Sequence, residues 1–183
     1  PEGLFTLPKL SFLYLKDNLF SGSLPDMVEG FTDLSYLFLD SNLLTGTIPV
    51  SLGDAPYLQS VNLSSNHLTG TIPTSLSKLT ELAVLLLQDN ALSGNIHSIF
   101  NVGLQGNLII VQLSDNQLTG TLPDAIGELA GLQVFAAVSN CFTGSLPESL
   151  CDSSSLVTLA LDGMQSAPAC QQRLFPAALE GSI

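Results

Sequence analysis

The stretch Asn66–Leu82 reads "NHLTGTIPTSLSKLTEL", and its frame recurs along nearly the whole chain. An apolar residue follows the asparagine at two positions, glycine at four, leucine or isoleucine at six and proline at seven. The asparagines stand 24 residues apart, with one interval of 26, at Asn18, Asn42, Asn66, Asn90, Asn116 and Asn140. One copy departs, with His97 in the proline position. Six copies in register predict a repeat architecture.

The segment before each asparagine predicts a short strand. Apolar residues lie five and three positions before it, as Leu37 and Leu39 do before Asn42. This alternation is typical of a strand with one buried face. One strand that short cannot bury its leucines alone, whereas stacked copies form a continuous core. We expect the asparagines to be buried as a ladder of amides, and the glycines to permit the tight backbone that follows.

The composition excludes several classes of protein. The 183 residues are 45% hydrophobic and 11% charged, which is not the composition of a disordered chain. Four basic residues face sixteen acidic ones, and the formal net charge of −12 repels phosphate backbones and anionic lipids. We therefore expect no nucleic-acid partner. Since no apolar run approaches the length of a bilayer span, membrane attachment would come only through a missing part of the parent chain.

The full frame, LxxLxLxxNxLxGxIPxxLxxL, resembles the plant-type leucine-rich repeat from Pro1 to about Met164. The GxIP half distinguishes this subclass from other leucine-rich repeats. The resemblance implies an α/β-class solenoid: a right-handed horseshoe or superhelix with a parallel inner β-sheet. It also implies a second short strand near each LxGxIP and mostly 3₁₀ or irregular outer turns. Such repeats occur in the ectodomains of receptor-like kinases and receptor-like proteins, and in secreted inhibitors of cell-wall-degrading enzymes.

The repeat count predicts a single leucine-rich-repeat domain over residues 1–183, with about seven repeats. The two extra residues between Asn90 and Asn116 are expected to bulge on the outer side. An irregular repeat follows Asn140, with an island loop near residues 163–177 that either binds a partner or is inert. Both ends interrupt a repeat at the same joint, directly before a proline, so we expect a fragment of a longer array.

The chain has three cysteines, Cys141, Cys151 and Cys170. Any two of them could form a disulfide bridge, so three single bridges are possible. We favour Cys151–Cys170, because both residues flank the irregular repeat. Cys141–Cys170 stays open, as do three free thiols in a reducing compartment. Asn62 heads the sequon "NLS" and is predicted to point out of the inner sheet, where a secreted chain would carry a glycan. The cysteine and histidine spacing predicts no metal site.

In this family the variable positions of the concave inner sheet bind the ligand. Four aromatic residues take such positions on neighbouring strands: Phe12, Tyr14, Tyr36 and Phe38. We expect three charged residues to rim them: Lys16, Asp17 and Asp40. Clustered exposed aromatic residues with a polar edge predict a contact surface for a peptide or protein ligand on the concave face. Alternatively, the rings shield one another or pack against a missing neighbouring repeat on the N-terminal side.

The leading hypothesis is a non-catalytic binding module in the extracellular region of a receptor-like kinase or receptor-like protein, with any kinase domain elsewhere in the parent chain. The alternatives are a secreted protein similar to polygalacturonase inhibitors, and an intracellular scaffold. The first two place the chain at the cell surface or in the secreted fraction. The sequence offers no nucleophile–base pair and no phosphate-binding glycine loop, so no catalytic residue and no cofactor are predicted. A repeated Thr-Gly-Thr suggests ice binding, although the family frame itself accounts for it.

Overall fold

The computed structural model describes residues 7, 9–26 and 32–161. This part of the chain is a solenoid in which each repeat contributes a strand to an inner sheet and a second strand beside it. Among the described residues, the inner sheet has seven parallel strands: β1 (Phe12–Tyr14), β3 (Tyr36–Phe38), β5 (Ser60–Asn62), β7 (Val84–Leu86), β9 (Ile110–Gln112), β11 (Val134–Ala136) and β13 (Thr158–Ala160). The predicted parallel inner sheet is confirmed.

The second strands form smaller parallel sheets near each LxGxIP, as predicted. They are β2 (Ser21–Ser23), β4 (Leu43–Thr45), β6 (Thr69–Thr71), β8 (Ala91–Gly94), β10 (Gln117–Gly120) and β12 (Cys141–Phe142). β2 pairs with β4, and β6, β8, β10 and β12 pair in turn. The amides of His67 and Thr69 donate to the carbonyls of Leu44 and Gly46, which joins the two groups.

The outer side consists of short helical turns. The described residues include 3₁₀ helices at Val50–Asp54, Thr74–Lys78, His97–Ile99 and Glu148–Asp152, and one α-helical turn, α1, at Ala125–Glu128. A proline with φ between −61° and −66° stands directly before three of the 3₁₀ helices. Since proline fixes φ and has no amide proton, it suits a position where the preceding strand must stop.

Stacking places equivalent residues of successive repeats opposite one another. Leu13 lies opposite Leu37, and Leu37 lies opposite Val61, so each apolar column continues from strand to strand. Leu37, Val61, Val111 and Phe135 are completely buried. Burial of one such side chain stabilises the fold by roughly 1.5–3 kcal/mol, and the columns together form one continuous core.

The asparagine ladder joins each repeat to the previous one. The Asn66 amide nitrogen donates to the carbonyl of Leu63 in its own turn and to that of Leu39 one repeat earlier, at 3.2 and 3.0 Å. Its Oδ1 accepts from the Leu44 amide, also one repeat earlier, at 3.0 Å. Asn42, Asn66, Asn116 and Asn140 are buried, as predicted. Asn90 is half-buried and Asn18 is exposed; the side chain of Asn18 donates to the carbonyls of Leu15 and Lys16 in its own turn.

The turn at each asparagine uses left-handed backbone twice. The residue directly before each asparagine has φ between 52° and 57°: Asp17, Ser41, Ser65, Asp89, Asp115 and Ser139. Aspartate tolerates this region better than most residues. The glycine four positions after the asparagine has φ between 76° and 92°. Glycine is needed there for two reasons. It adopts a positive φ without strain, and a Cβ on Gly70 would lie 2.8 Å from Cγ2 of Thr47.

The two-residue insertion leaves the inner sheet in register, since Val84 still lies opposite Ile110. The extra residues fall in the segment before β9, where the buried side chain of Gln105 holds the loop. Gln105 donates to the carbonyl of Leu76 at 3.0 Å and accepts from the amide of Asn101 at 2.8 Å. The island loop predicted near residues 163–177 lies outside the described residues.

Candidate functional site

The inner sheet has one face on the leucine core and one face turned away from it, which we call the open face. It presents the first and third residues of each strand and the residue two positions further on. In β3 these are Tyr36, Phe38 and Asp40. Because strand residues alternate between faces, the middle residue of each inner strand from β1 to β11 packs into the core. The open face therefore carries the columns that the sequence predicted for ligand contact.

Phe12, Tyr14, Tyr36 and Phe38 lie together on β1 and β3, and we call them the aromatic cluster. The rings of Phe12 and Tyr36 are stacked with centroids 5.0 Å apart, and those of Tyr14 and Phe38 meet edge to face at 4.8 Å. Phe12 and Tyr14 are 55% and 53% exposed. Tyr36 and Phe38 are half-buried. β3 has a paired strand on both sides, whereas β1 is the first described strand and pairs on one side only.

A neighbouring strand fixes the inner edge of the aromatic cluster. The Tyr36 hydroxyl donates to Oε1 of Gln59 at 2.8 Å. This bond and the ring contacts link the four side chains to one another and to the segment that leads into β5. A preformed apolar surface loses little side-chain entropy when a partner is bound.

The three residues predicted to rim the cluster differ in exposure. Lys16 and Asp17 are both exposed, and Nζ of Lys16 lies 3.7 Å from the Asp17 carboxylate. An exposed pair of this kind contributes little to stability. Asp40 is half-buried, and its Oδ1 is buried without a hydrogen-bond donor among the described residues.

The centre of the open face changes from polar to apolar. Asn62 follows the aromatic cluster along the sheet, with Phe38 opposite it on one side and Leu86 on the other. Its Oδ1 accepts from the amide and the hydroxyl of Ser64, at 3.1 and 2.7 Å. A glycan on Asn62 would therefore stand on the open face beside the cluster. Glycosylation at Asn62 and ligand binding by this face are predictions that compete for one surface.

Past the strands, the open face ends in a row of hydrogen-bond acceptors, which we call the acceptor edge. It comprises the side chains one and two positions before the ladder asparagines: Asp17, Asp40, Gln88, Asp89 and Asp115. Asp89 and Asp115 are exposed, and Asp89 accepts from the Ser65 hydroxyl at 3.2 Å. Oε1 of Gln88, like Oδ1 of Asp40, is buried without a donor in the described chain. Sequence reasoning missed Gln88, although it occupies the same repeat position as Asp40.

The cysteine pairing differs from the favoured prediction. Cys151 is exposed with a free thiol, whereas Cys141 is buried and disulfide-bonded. The predicted Cys151–Cys170 bridge is therefore wrong; Cys170 lies outside the described residues. The physical reason is the direction of the two side chains. Cys151 belongs to an outer 3₁₀ helix and faces solvent, while Cys141 begins β12 and points inward. Pairing depends on where the two Cβ atoms point, which proximity to the irregular repeat does not determine.

The second strands present a regular surface, the threonine–glycine face. It consists of Thr45–Thr47, Thr69–Thr71, Thr119–Thr121 and the equivalent residues of the other repeats. Three threonine methyl groups lie close to a glycine of the next repeat. A Cβ atom added to that glycine would be 2.8 Å from Cγ2 of Thr47, Thr71 or Thr121. Each of these methyl groups therefore packs on a neighbouring glycine.

In the part of the chain that the structure describes, no group of three or more residues is placed to bind a metal ion. The same residues include no helix long and apolar enough to cross a membrane.

Stacked parallel repeats, an asparagine ladder and an open face of variable residues define a leucine-rich-repeat solenoid. The Leucine Rich Repeat family profile matches residues 33–55, 57–79 and 107–129. The LRR ectodomain of the Arabidopsis thaliana receptor kinase SOBIR1 is 30% identical, with a TM-score of 0.62 over 73% of this chain and 70% of its own. The chain belongs to the leucine-rich-repeat family, of the plant receptor type, and the predicted family and fold are confirmed.

Two further solved structures resemble the chain. The Arabidopsis receptor kinase HAESA, solved with the peptide hormone IDA and the co-receptor SERK1, is 36% identical with a TM-score of 0.81. The match covers 88% of this chain, which spans about a quarter of HAESA, 26% of its length. A plant ice-binding protein is 26% identical with a TM-score of 0.65, over 88% of this chain and 67% of its own. No curated protein sequence matches the chain.

Proposed function

We propose that the chain is a non-catalytic leucine-rich-repeat module that binds a peptide or protein ligand on its open face, centred on the aromatic cluster. The observation that carries this proposal is the pair of rings on β1, each more than half exposed and held by ring contacts from β3. Aromatic side chains that are already ordered are the usual energetic centres of protein interfaces. The similarity to HAESA, a receptor solved with a bound peptide hormone, supports the same class of ligand.

The binding site can be tested with a displayed library of random dodecapeptides selected on immobilised protein. The Kd of a recovered synthetic peptide is then measured for Phe12→Ala with Tyr14→Ala. The matched control is Val50→Ala with Tyr57→Ala, on the outer side, where Tyr57 is 58% exposed. We expect the cluster variant to bind at least about ten-fold more weakly, the scale of an interface hot spot, with the control unchanged. Equal affinities of the two variants would remove the cluster from the proposed site.

We further propose that the module is extracellular, in the ectodomain of a receptor-like kinase or receptor-like protein. The similarity to the ectodomains of HAESA and SOBIR1 supports this context. The alternative is a secreted inhibitor of a cell-wall-degrading enzyme. The full-length transcript separates the two, because a membrane span followed by kinase motifs supports the receptor and a stop codon after a closing cap supports the inhibitor. Recovery of the native protein from the cytosol would contradict both.

Ice binding is a second candidate, favoured by the threonine–glycine face and by the similarity to a plant ice-binding protein. Methyl groups held on glycine backbone give a rigid array at the repeat spacing of about 4.8 Å. The test is inhibition of ice recrystallisation by wild type, by Thr71→Lys and by the control Thr80→Lys, which alters an exposed outer turn. Loss of inhibition in Thr71→Lys alone supports this function, whereas a wild type without inhibition excludes it.

A further inference from the structure

The open face is strongly unbalanced in charge. Along the described strands, its basic side chain is Lys16, whereas Asp17, Asp40, Asp89 and Asp115 are acidic. Lys16 lies at the β1 end and is held beside Asp17, so the acids from β3 onward have no basic neighbour on this face. A ligand that covers the face must therefore bring its own positive charge or bury carboxylates without partners, which is costly.

The acceptor edge adds hydrogen-bonding groups that the fold does not use. Oδ1 of Asp40 and Oε1 of Gln88 are buried and receive no donor from any described residue. A buried acceptor without a donor is unfavourable, and a donor supplied by a partner relieves that cost. Both residues are only half-buried as a whole, and the terminal torsion of a carboxylate or amide group rotates at little cost.

The acceptor edge runs parallel to an apolar band. This band is the aromatic cluster on β1 and β3 and, beyond the polar Ser60 and Asn62 of β5, the half-buried side chains Val84, Leu86 and Ile110. From β1 to β9 the sheet takes four steps of about 4.8 Å, roughly 19 Å, which an extended peptide of about six residues would cover. Because the side chains of an extended peptide alternate, one set can lie on the apolar band while the other reaches the acceptor edge.

We infer that the ligand of the open face is a cationic peptide, bound extended across the strands, with its lysine or arginine side chains donating to the acceptor edge. Its apolar side chains pack on the aromatic cluster and on Leu86 and Ile110. This inference rests on the proposed peptide-binding function. It adds the chemical class of the ligand and gives a role to Asp40 and Gln88, whose acceptors the fold leaves unused.

The test uses the same dodecapeptide library. Peptides recovered on the wild type are expected to be enriched in lysine and arginine over the input library. For one recovered synthetic peptide, the Kd of Asp89→Asn with Asp115→Asn is compared with that of Asp124→Asn with Asp152→Asn. Both variants remove two charges from exposed aspartates, but the second pair lies on the outer side. We expect the first variant to bind at least about five-fold more weakly and the second to change by less than about two-fold.

Lys16→Met gives a test of opposite sign, because it removes the basic side chain of the open face. It is expected to tighten binding of the cationic peptide by about two- to five-fold, with a smaller effect at high salt. Equal weakening by the two aspartate pairs, or an unchanged Kd in Lys16→Met, would overturn the inference.

The failure of this inference and the failure of the proposed function give different results. Recovered peptides without enrichment in basic residues, which nevertheless lose affinity in the Phe12→Ala, Tyr14→Ala variant, leave the proposed function standing and overturn the cationic ligand. Recovery of no peptide overturns the inference and removes peptides from the proposed function, which then keeps only a protein ligand on the open face.

Discussion

The buried asparagine ladder allows a quantitative prediction, because one rung has a natural control in the same chain. Asn66→Ala removes three amide bonds, to the carbonyls of Leu39, Leu63 and Ser64, and one bond accepted from the Leu44 amide. Asn18→Ala makes the same chemical change. The Asn18 side chain, however, is exposed and donates to two carbonyls of its own turn, at 2.9 and 3.2 Å.

The expected magnitude follows from what each substitution leaves unsatisfied. The Leu39 and Leu63 carbonyls keep bonds from the asparagines of neighbouring repeats, so each loses only a net hydrogen bond of about 0.5–1.5 kcal/mol. The Leu44 amide is buried and loses its acceptor, at a cost of about 1–3 kcal/mol. Together these losses should lower the free energy of unfolding of Asn66→Ala by about 2–6 kcal/mol. Asn18→Ala should lower it by about 1 kcal/mol or less.

The measurement is equilibrium urea unfolding, followed by circular dichroism and by tyrosine fluorescence to test for intermediates. Asn66→Asp is the informative third variant. It keeps the acceptor for the Leu44 amide but turns a carboxylate oxygen toward the carbonyls that the amide nitrogen had bonded. It should therefore be destabilised about as much as Asn66→Ala. Equal unfolding free energies for Asn66→Ala and Asn18→Ala would refute the ladder as a source of stability.

Two further predictions concern glycine packing and the thiols. A Cβ on Gly53 would overlap the backbone carbonyl of Ser75, so Gly53→Ala should lower the unfolding free energy by at least about 2 kcal/mol. At Gly106 a Cβ meets nothing within 4 Å, and Gly106→Ala should change stability by less than about 1 kcal/mol; similar urea midpoints for the two variants would contradict the packing argument. Alkylation of the native protein with iodoacetamide, read by mass spectrometry, should label Cys151 and spare Cys141, and label on Cys141 would contradict the observed pairing.

The sequence predicted the fold closely because each repeat carries the same pattern of apolar and variable residues. An apolar residue on either side of a variable one, as in Leu37-Phe38-Leu39, specifies a strand with one buried face. Repetition at 24 residues then specifies the neighbour of that strand, since equivalent residues of successive repeats come to lie opposite one another. A prediction of this kind needs no long-range contact to be guessed.

The candidate site could be predicted from repeat positions only in part. Repeat position predicted that Tyr14 and Phe38 lie on neighbouring strands, and their rings do meet. It did not predict that Phe38 is half-buried while Tyr14 stays open, because that depends on ring orientation. Nor did it predict the buried oxygens of Asp40 and Gln88, since a repeat position tells which face a side chain takes and not which donors surround it.

The sequence by itself determined the period of the solenoid, the leucine columns, the asparagine ladder and the aromatic residues of the open face. Each depends on a residue's own chemistry and on neighbours that the repeat supplies. The tertiary structure alone decided that Cys141 enters a disulfide bond while Cys151 does not, and that Asp40 and Gln88 keep acceptors without donors. These outcomes depend on the direction of side chains between repeats, because pairing and hydrogen bonding need atoms within a few ångströms of each other.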